Sequence, residues 1–173
     1  MGYVFIALYA RFDGYDAYAD PVGWALVLYG VHRLPAGLPA RGAVLYLGWT
    51  AGMVSIPLWF PAVIDRLEDA DESLAWALDL PQFAFGALLC LSLAKAATAD
   101  DGAKAAGWLR MLATAIIVVA ALPVLVFGGG VDGLADPAGL AVQVVYIALV
   151  WMMFQYSGRV WAGAPVVEGE KAA

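Results

Sequence analysis

Four apolar stretches dominate the chain and constrain its fold more than any other feature: Ala43 to Ile64, Ser73 to Leu93, Gly107 to Phe127 and Ala138 to Gly158. Each has about 20 residues, the length a helix needs to cross roughly 30 Å of hydrocarbon. The only charged residues within them are Asp79 and Arg110. With 64% apolar and 14% charged residues, the chain holds far more apolar surface than a soluble fold of 173 residues could bury. The expectation is an all-α integral membrane protein, a helical bundle forming a single transmembrane domain over residues 1–173.

The region before these stretches is different. Gly2 to Ala10 and Pro21 to Leu34 are apolar but short, about 13 Å and 21 Å as helices at 1.5 Å per residue. Residues 1–34 are therefore expected to form a hairpin of short helices, either two tilted spans or a pair of half-helices. That gives six membrane segments, four of full length, or five if the first segment lies on the surface. The start "MGYVFIALYARFD" has neither the basic region nor the small-residue cleavage site of a signal peptide. It is read as part of the mature protein.

Basic residues set the orientation. Placing the loop from Leu34 to Gly42 inside puts Arg33, Arg41, Lys95, Lys104, Arg110, Arg159 and Lys171 on the cytoplasmic side, seven of the nine Lys and Arg. Residues 159–173 become a cytoplasmic tail. Arg11 and Arg66 remain outside, together with the acidic "DRLEDADES" and the Gly-rich "GGGVDGLADPA", both read as external loops. The repeated pattern A-D-P-x-G-x-A, from Ala19 and again from Ala135, agrees with this topology. In each copy an aspartate, Asp20 or Asp136, is placed to cap a helix, with proline in the first turn, where its missing N–H costs nothing. Both helices then run inward toward an arginine, favourable for the helix dipole and for the cytoplasmic side.

The stretch "FDGYDAYADPVGWALVLYGVHRL" resembles a motif of small, uncharacterised multi-span bacterial membrane proteins: an acidic turn, an Asp/Pro pair, then a Gly-containing helix ending in leucine. The likeness covers about 23 residues, and here the pair runs Asp20-Pro21 rather than Pro-Asp. It implies a bacterial membrane protein and no particular activity. The cytoplasmic, or inner, membrane is the expected location.

Asp79 is the sharpest candidate for chemistry. It falls within an apolar helix, where an ionisable side chain costs a few kcal/mol unless it meets water or a partner. Pro81 frees a backbone carbonyl nearby, and Gln82 shares the helix face of Asp79. Together they form a polar notch suited to an ion or a proton. Alternatively, Asp79 reaches the headgroups or caps a helix starting at Leu80. Arg11, Asp13, Asp16 and Asp20 could join that site or hold a cation, or Asp20 caps its helix and the others simply solvate an outer turn. Gly48 and Gly52, four apart on one face, permit close helix packing.

Other chemistries find little support. The single histidine, His32, cannot form a His-pair metal or haem site, and no Ser-His-Asp set assembles around it. Cys90 has no disulfide partner in the chain, and the glycine runs lack the flanking strand and Lys-Ser/Thr of a phosphate loop. The net charge of −6 disfavours nucleic acid as a partner. No cofactor, metal centre or catalytic residue is expected. Tryptophans at both ends are expected to form interfacial belts, Trp24, Trp59 and Trp76 on the outer side. The leading expectation is a bilayer-embedded protein that works by helix–helix assembly, with itself or as an accessory subunit of another membrane protein. The alternative is a small cation- or proton-linked transporter or channel, and the third is a membrane-embedded enzyme acting on lipid.

Overall fold

The computed structural model describes residues 11–12, 15–16, 20–70, 72–100, 102–129, 133 and 135–165. Two short strands, β1 (Arg11–Phe12) and β2 (Tyr15–Asp16), pair antiparallel. They precede the helices α1 (Asp20–Arg33), α2 (Arg41–Leu58), α3 (Pro61–Ala70), α4 (Glu72–Ala99), α5 (Ala103–Pro123) and α6 (Ala135–Tyr156). A π-helical turn, Val124–Gly128, follows α5, and a 3-10 turn, Val160–Ala162, follows α6.

Three helices are long and apolar enough to cross a membrane: Trp76–Ala99, Ala103–Pro123 and Pro137–Tyr156. The expected span from Ala43 to Ile64 is broken into two helices, which are long and apolar enough to cross only when taken together. α2 passes through Pro57 and stops at Leu58, and Pro61 starts α3, bent away by 92°. Proline has no N–H to donate and clashes with the preceding turn, so Pro61 stands at a helix start, where neither matters. "DRLEDADES", expected as a loop, lies largely within α3 and the start of α4. α3 is amphipathic: Val63 and Leu67 are half-buried, whereas Asp65 and Arg66 are exposed. A helix of this kind, turned across the bundle, suits a membrane–water boundary.

The hairpin expected over residues 1–34 is also corrected in part. Gly2 to Ala10 lie outside the described residues, and the segment leading into α1 carries a β-ribbon, with Arg11 opposite Asp16 and Phe12 opposite Tyr15.

α4 is the central element, packed against α2, α3, α5 and the 3-10 turn, with α1 seated on α2 and α6 on α5. The core side of each helix reads from its sequence. α5 buries Ala106, Leu109, Leu112, Ala113, Ile116 and Val119, one stripe at helical spacing. α1 buries Gly23, Trp24, Val27, Leu28 and Val31. Trp24 is only 2% exposed and meets Phe85 edge to face, ring centroids 5.2 Å apart, so it belongs to the core and not to the expected interfacial belt. Trp49, Trp108 and Trp151 are exposed.

The helix ends are tied in pairs. At the basic end, Arg110 donates to Thr98 Oγ1 (3.0 Å), joining α5 to α4, and Arg41 donates to the carbonyl of His32 (3.1 Å), joining α2 to α1. At the opposite, acidic end the Trp76 indole N–H donates to the carbonyl of Ala120 (2.9 Å), again joining α4 to α5.

Candidate functional site

At the acidic end, α1, α2 and α4 enclose a cavity of about 70 Å³ lined by Asp20, Trp24, Ser55, Asp79 and Gln82, with apolar walls from Ala51, Val54, Leu58 and Leu78. That is room for a few water molecules or one small, partly hydrated cation.

The local sequence explains why these polar groups converge. Asp20 is the first residue of α1, on the same face as Trp24 one turn later, and that face continues into the buried stripe of the helix. An aspartate there turns inward to the bundle. Ser55 lies on the buried face of α2, seven residues after Gly48 and four after Ala51. Its hydroxyl donates to the carbonyl of Gly52 (2.7 Å), which leaves its lone pairs available as acceptors. Asp79 and Gln82 are three apart on α4, hence neighbours on one side of the helix. Helix α4 starts at Glu72, so Asp79 lies well inside it and does not cap a helix beginning at Leu80. Asp79 is exposed on the open side of the notch. It lies three residues into the apolar span that begins at Trp76, about 5 Å along the helix.

Tyr146, on α6, extends this polar set. Its hydroxyl is shielded from solvent. It lies within electrostatic reach of Asp79 and Asp20, with the Gln82 amide near it.

Chemically, the notch offers two carboxylates, a serine oxygen and an amide, all oxygen-bearing, with a phenol beside them. Two carboxylates facing one small cavity near hydrocarbon are hard to ionise together and are eased by a shared proton or a bound cation. No group of three or more His, Cys, Asp or Glu side chains among the described residues is arranged to hold a metal ion.

The remaining expected residues are placed as follows. Arg11 and Asp16 face one another across the β-ribbon, and Asp13 lies outside the described residues. Asp136 is the second residue of α6, far along the chain from the notch-lining helices. Gly48 and Gly52 sit at the α1–α2–α4 crossing. A Cβ on Gly48 would stand 2.9 Å from Leu28 Cδ2 and Phe85 Cε2, and one on Gly52 3.3 Å from Trp24 Cβ. These close approaches are made within one chain.

The sequence alone offers Asp20 as a cap or as a carboxylate that meets Asp79, and Trp24 as part of an outer belt, and it gives no role to Ser55 or Tyr146. The signal for Asp20 was its register with the apolar stripe of α1. Ser55 and Tyr146 had no such signal, because a lone hydroxyl in an apolar helix commonly bonds its own backbone.

The fold and its notch define a helical protein with three helices fit to cross a membrane and a polar site at one end of the bundle. The chain matches no known protein family, and no curated protein or solved structure is significantly similar to it.

Proposed function

We propose that this chain is a small polytopic protein of the bacterial cytoplasmic membrane that takes up a monovalent cation or a proton at the Asp20–Asp79 notch, as part of a transport or coupling step. The observation that carries this reading is that Asp79 shares its cavity with a second carboxylate, Asp20, from a helix 59 positions earlier in the chain (79 − 20). A single acid near the end of a span has trivial explanations. Two acids from different helices, beside a serine and a glutamine, make a site that a positive charge stabilises. With basic residues gathered at the other end of the bundle, the notch opens to the outside under the positive-inside rule.

The test is flux in proteoliposomes under a Na⁺, K⁺ or pH gradient. Wild type is expected to carry one of these, and Asp79→Asn to lose most of the flux while eluting and unfolding like wild type. Equal flux in a well-folded Asp79→Asn protein would refute the assignment.

Assembly through α6 is a second reading with its own support. Leu140, Val144, Ile147, Trp151 and Phe154 recur at alternating spacings of four and three along α6, and all are exposed. Gln143, beside this stripe, is exposed with no hydrogen-bond partner among the described residues. An amide on a lipid-facing helix gains by bonding across a helix interface. Cysteine cross-linking at Ile147 in membranes tests it: a specific dimer supports assembly, and a monomer under complete labelling refutes it.

A further inference from the structure

The α1–α2 pair carries a second concavity, on its outward face and distinct from the notch. It has a volume of about 500 Å³, and its walls are almost wholly apolar. Its floor is Leu28 and Gly52, and its walls are Tyr29 on α1 and Trp49, Met53 and Ile56 on α2, all exposed along the bundle's side. Gly52 matters here because any side chain would fill the floor. The groove runs from Pro21 to His32, about 16 Å at the helical rise, parallel to the helices.

What distinguishes this groove from an ordinary lipid-facing surface is its basic end. His32 lines it, and Arg33 folds back over the ring of Tyr29, with its guanidinium carbon 5.0 Å from the ring centre and its Nη2 donating to the Tyr29 hydroxyl. Arg41, at the start of α2, bonds the His32 carbonyl through Nη2, and its shielded Nε has no partner. The first turn of α2 carries no acidic residue, and no side chain caps it. Its free N–H groups therefore add to the positive character of the spot. The described residues thus bring two arginines, a histidine and an uncapped helix start together with no carboxylate in the first turn to balance them.

α1 is also short. At about 21 Å it spans less than the hydrocarbon layer, and it ends on His32 and Arg33. An apolar groove of lengthwise shape with two arginines near one end is complementary to an anionic phospholipid, acyl chain along the groove and phosphate at the arginines.

We infer that the α1–α2 groove is a binding site for one anionic phospholipid, with Arg33 and Arg41 holding its phosphate and Gly52, Trp49 and Met53 receiving an acyl chain. The groove shares Trp24 with the Asp20–Asp79 notch but none of its carboxylates, and the lipid site stands whether or not that notch carries ions.

The test is native mass spectrometry of the detergent-purified full chain, titrated with phosphatidylglycerol or with phosphatidylcholine of the same acyl length. One phosphatidylglycerol is expected to be retained roughly thirtyfold better than phosphatidylcholine, the ratio two basic contacts would give. The preference should fall toward one in the double variant Arg33→Gln/Arg41→Gln. Ala25→Phe, which fills the groove from an exposed position, should weaken retention of both lipids without altering the basic end. Equal retention of the two lipids by wild type would overturn the inference. So would an unchanged preference in the double variant, or full displacement of phosphatidylglycerol by inorganic phosphate. A dimer that forms only as the lipid leaves would give the groove to a second copy, and would equally overturn it.

Discussion

Helices α4 and α6 look alike to hydropathy and are treated very differently by the fold. Their apolar windows average 1.6 and 1.8, yet half of the α4 window is buried in the bundle and only 11% of the α6 window. The difference follows side-chain size. α4 buries Gly86, Ala87, Cys90, Ser92, Ala94 and Ala97 between Phe83, Phe85, Leu89 and Leu93, and these small groups let α2 and α5 approach closely. α6 leaves Gly139 exposed and Ala138, Ala141 and Ala148 only half-buried, and buries Val145 and Leu149 against the rest. In lipid there is no hydrophobic drive between helices, so close van der Waals packing decides which helix becomes central. Apolarity places a helix in the membrane; smallness places it in the middle.

The sharpest way to break this comparison is to enlarge a small residue at the centre. Gly48→Leu drives a branched side chain into Leu28 and Phe85, where even a Cβ is too close, and is expected to destabilise the bundle by 3 kcal/mol or more, about the cost of severe overpacking. Detergent-dependent unfolding followed by circular dichroism would read it. Next comes Phe85→Ala, which removes a fully buried ring and its edge-to-face partner from Trp24. About 3 kcal/mol is expected to be lost, from the transfer and cavity terms of an aromatic deletion. On α6 the same assay should barely respond. Ile147→Ala, at an exposed position, is expected to stay within about 0.5 kcal/mol of wild type. A loss comparable to that of Phe85→Ala would mean that the α6 face is packed in the working protein, in favour of assembly. Gln143→Leu sharpens that last case: it should leave a monomer unaffected and weaken an α6-mediated dimer by about 1 kcal/mol, the worth of an interhelical amide bond.

How much of this was legible before any coordinates follows the same physics. Three spans read directly from length and apolarity, with ends shifted by a few residues; α4, for example, continues past Leu93 to Ala99 because Ala94, Ala96 and Ala97 are good helix formers beside Lys95. The right-angle break near Pro57 and Pro61 does not read from the apolar run, because proline marks where a ladder is interrupted and not the angle that packing then imposes. α3 was hidden because its charges resemble a loop until Val63 and Leu67 are seen to share a face. The site was legible by half. Asp79 and Gln82 stand out as polar residues in hydrocarbon, whereas Asp20 has an adequate local role as a cap, and only the tertiary pairing of α1 with α2 and α4 brings it to Asp79.

That pairing is the central claim, and a double-mutant cycle tests it most directly. Cation- or proton-driven flux would be measured in proteoliposomes for wild type, Asp20→Asn, Asp79→Asn and the double variant, each first shown to be folded. If the two carboxylates form one site, each single variant loses most of the flux and the double variant loses little more, because groups acting as a unit are not additive. Independent, additive losses, or a wild type that carries none of the ions tested, would contradict the account.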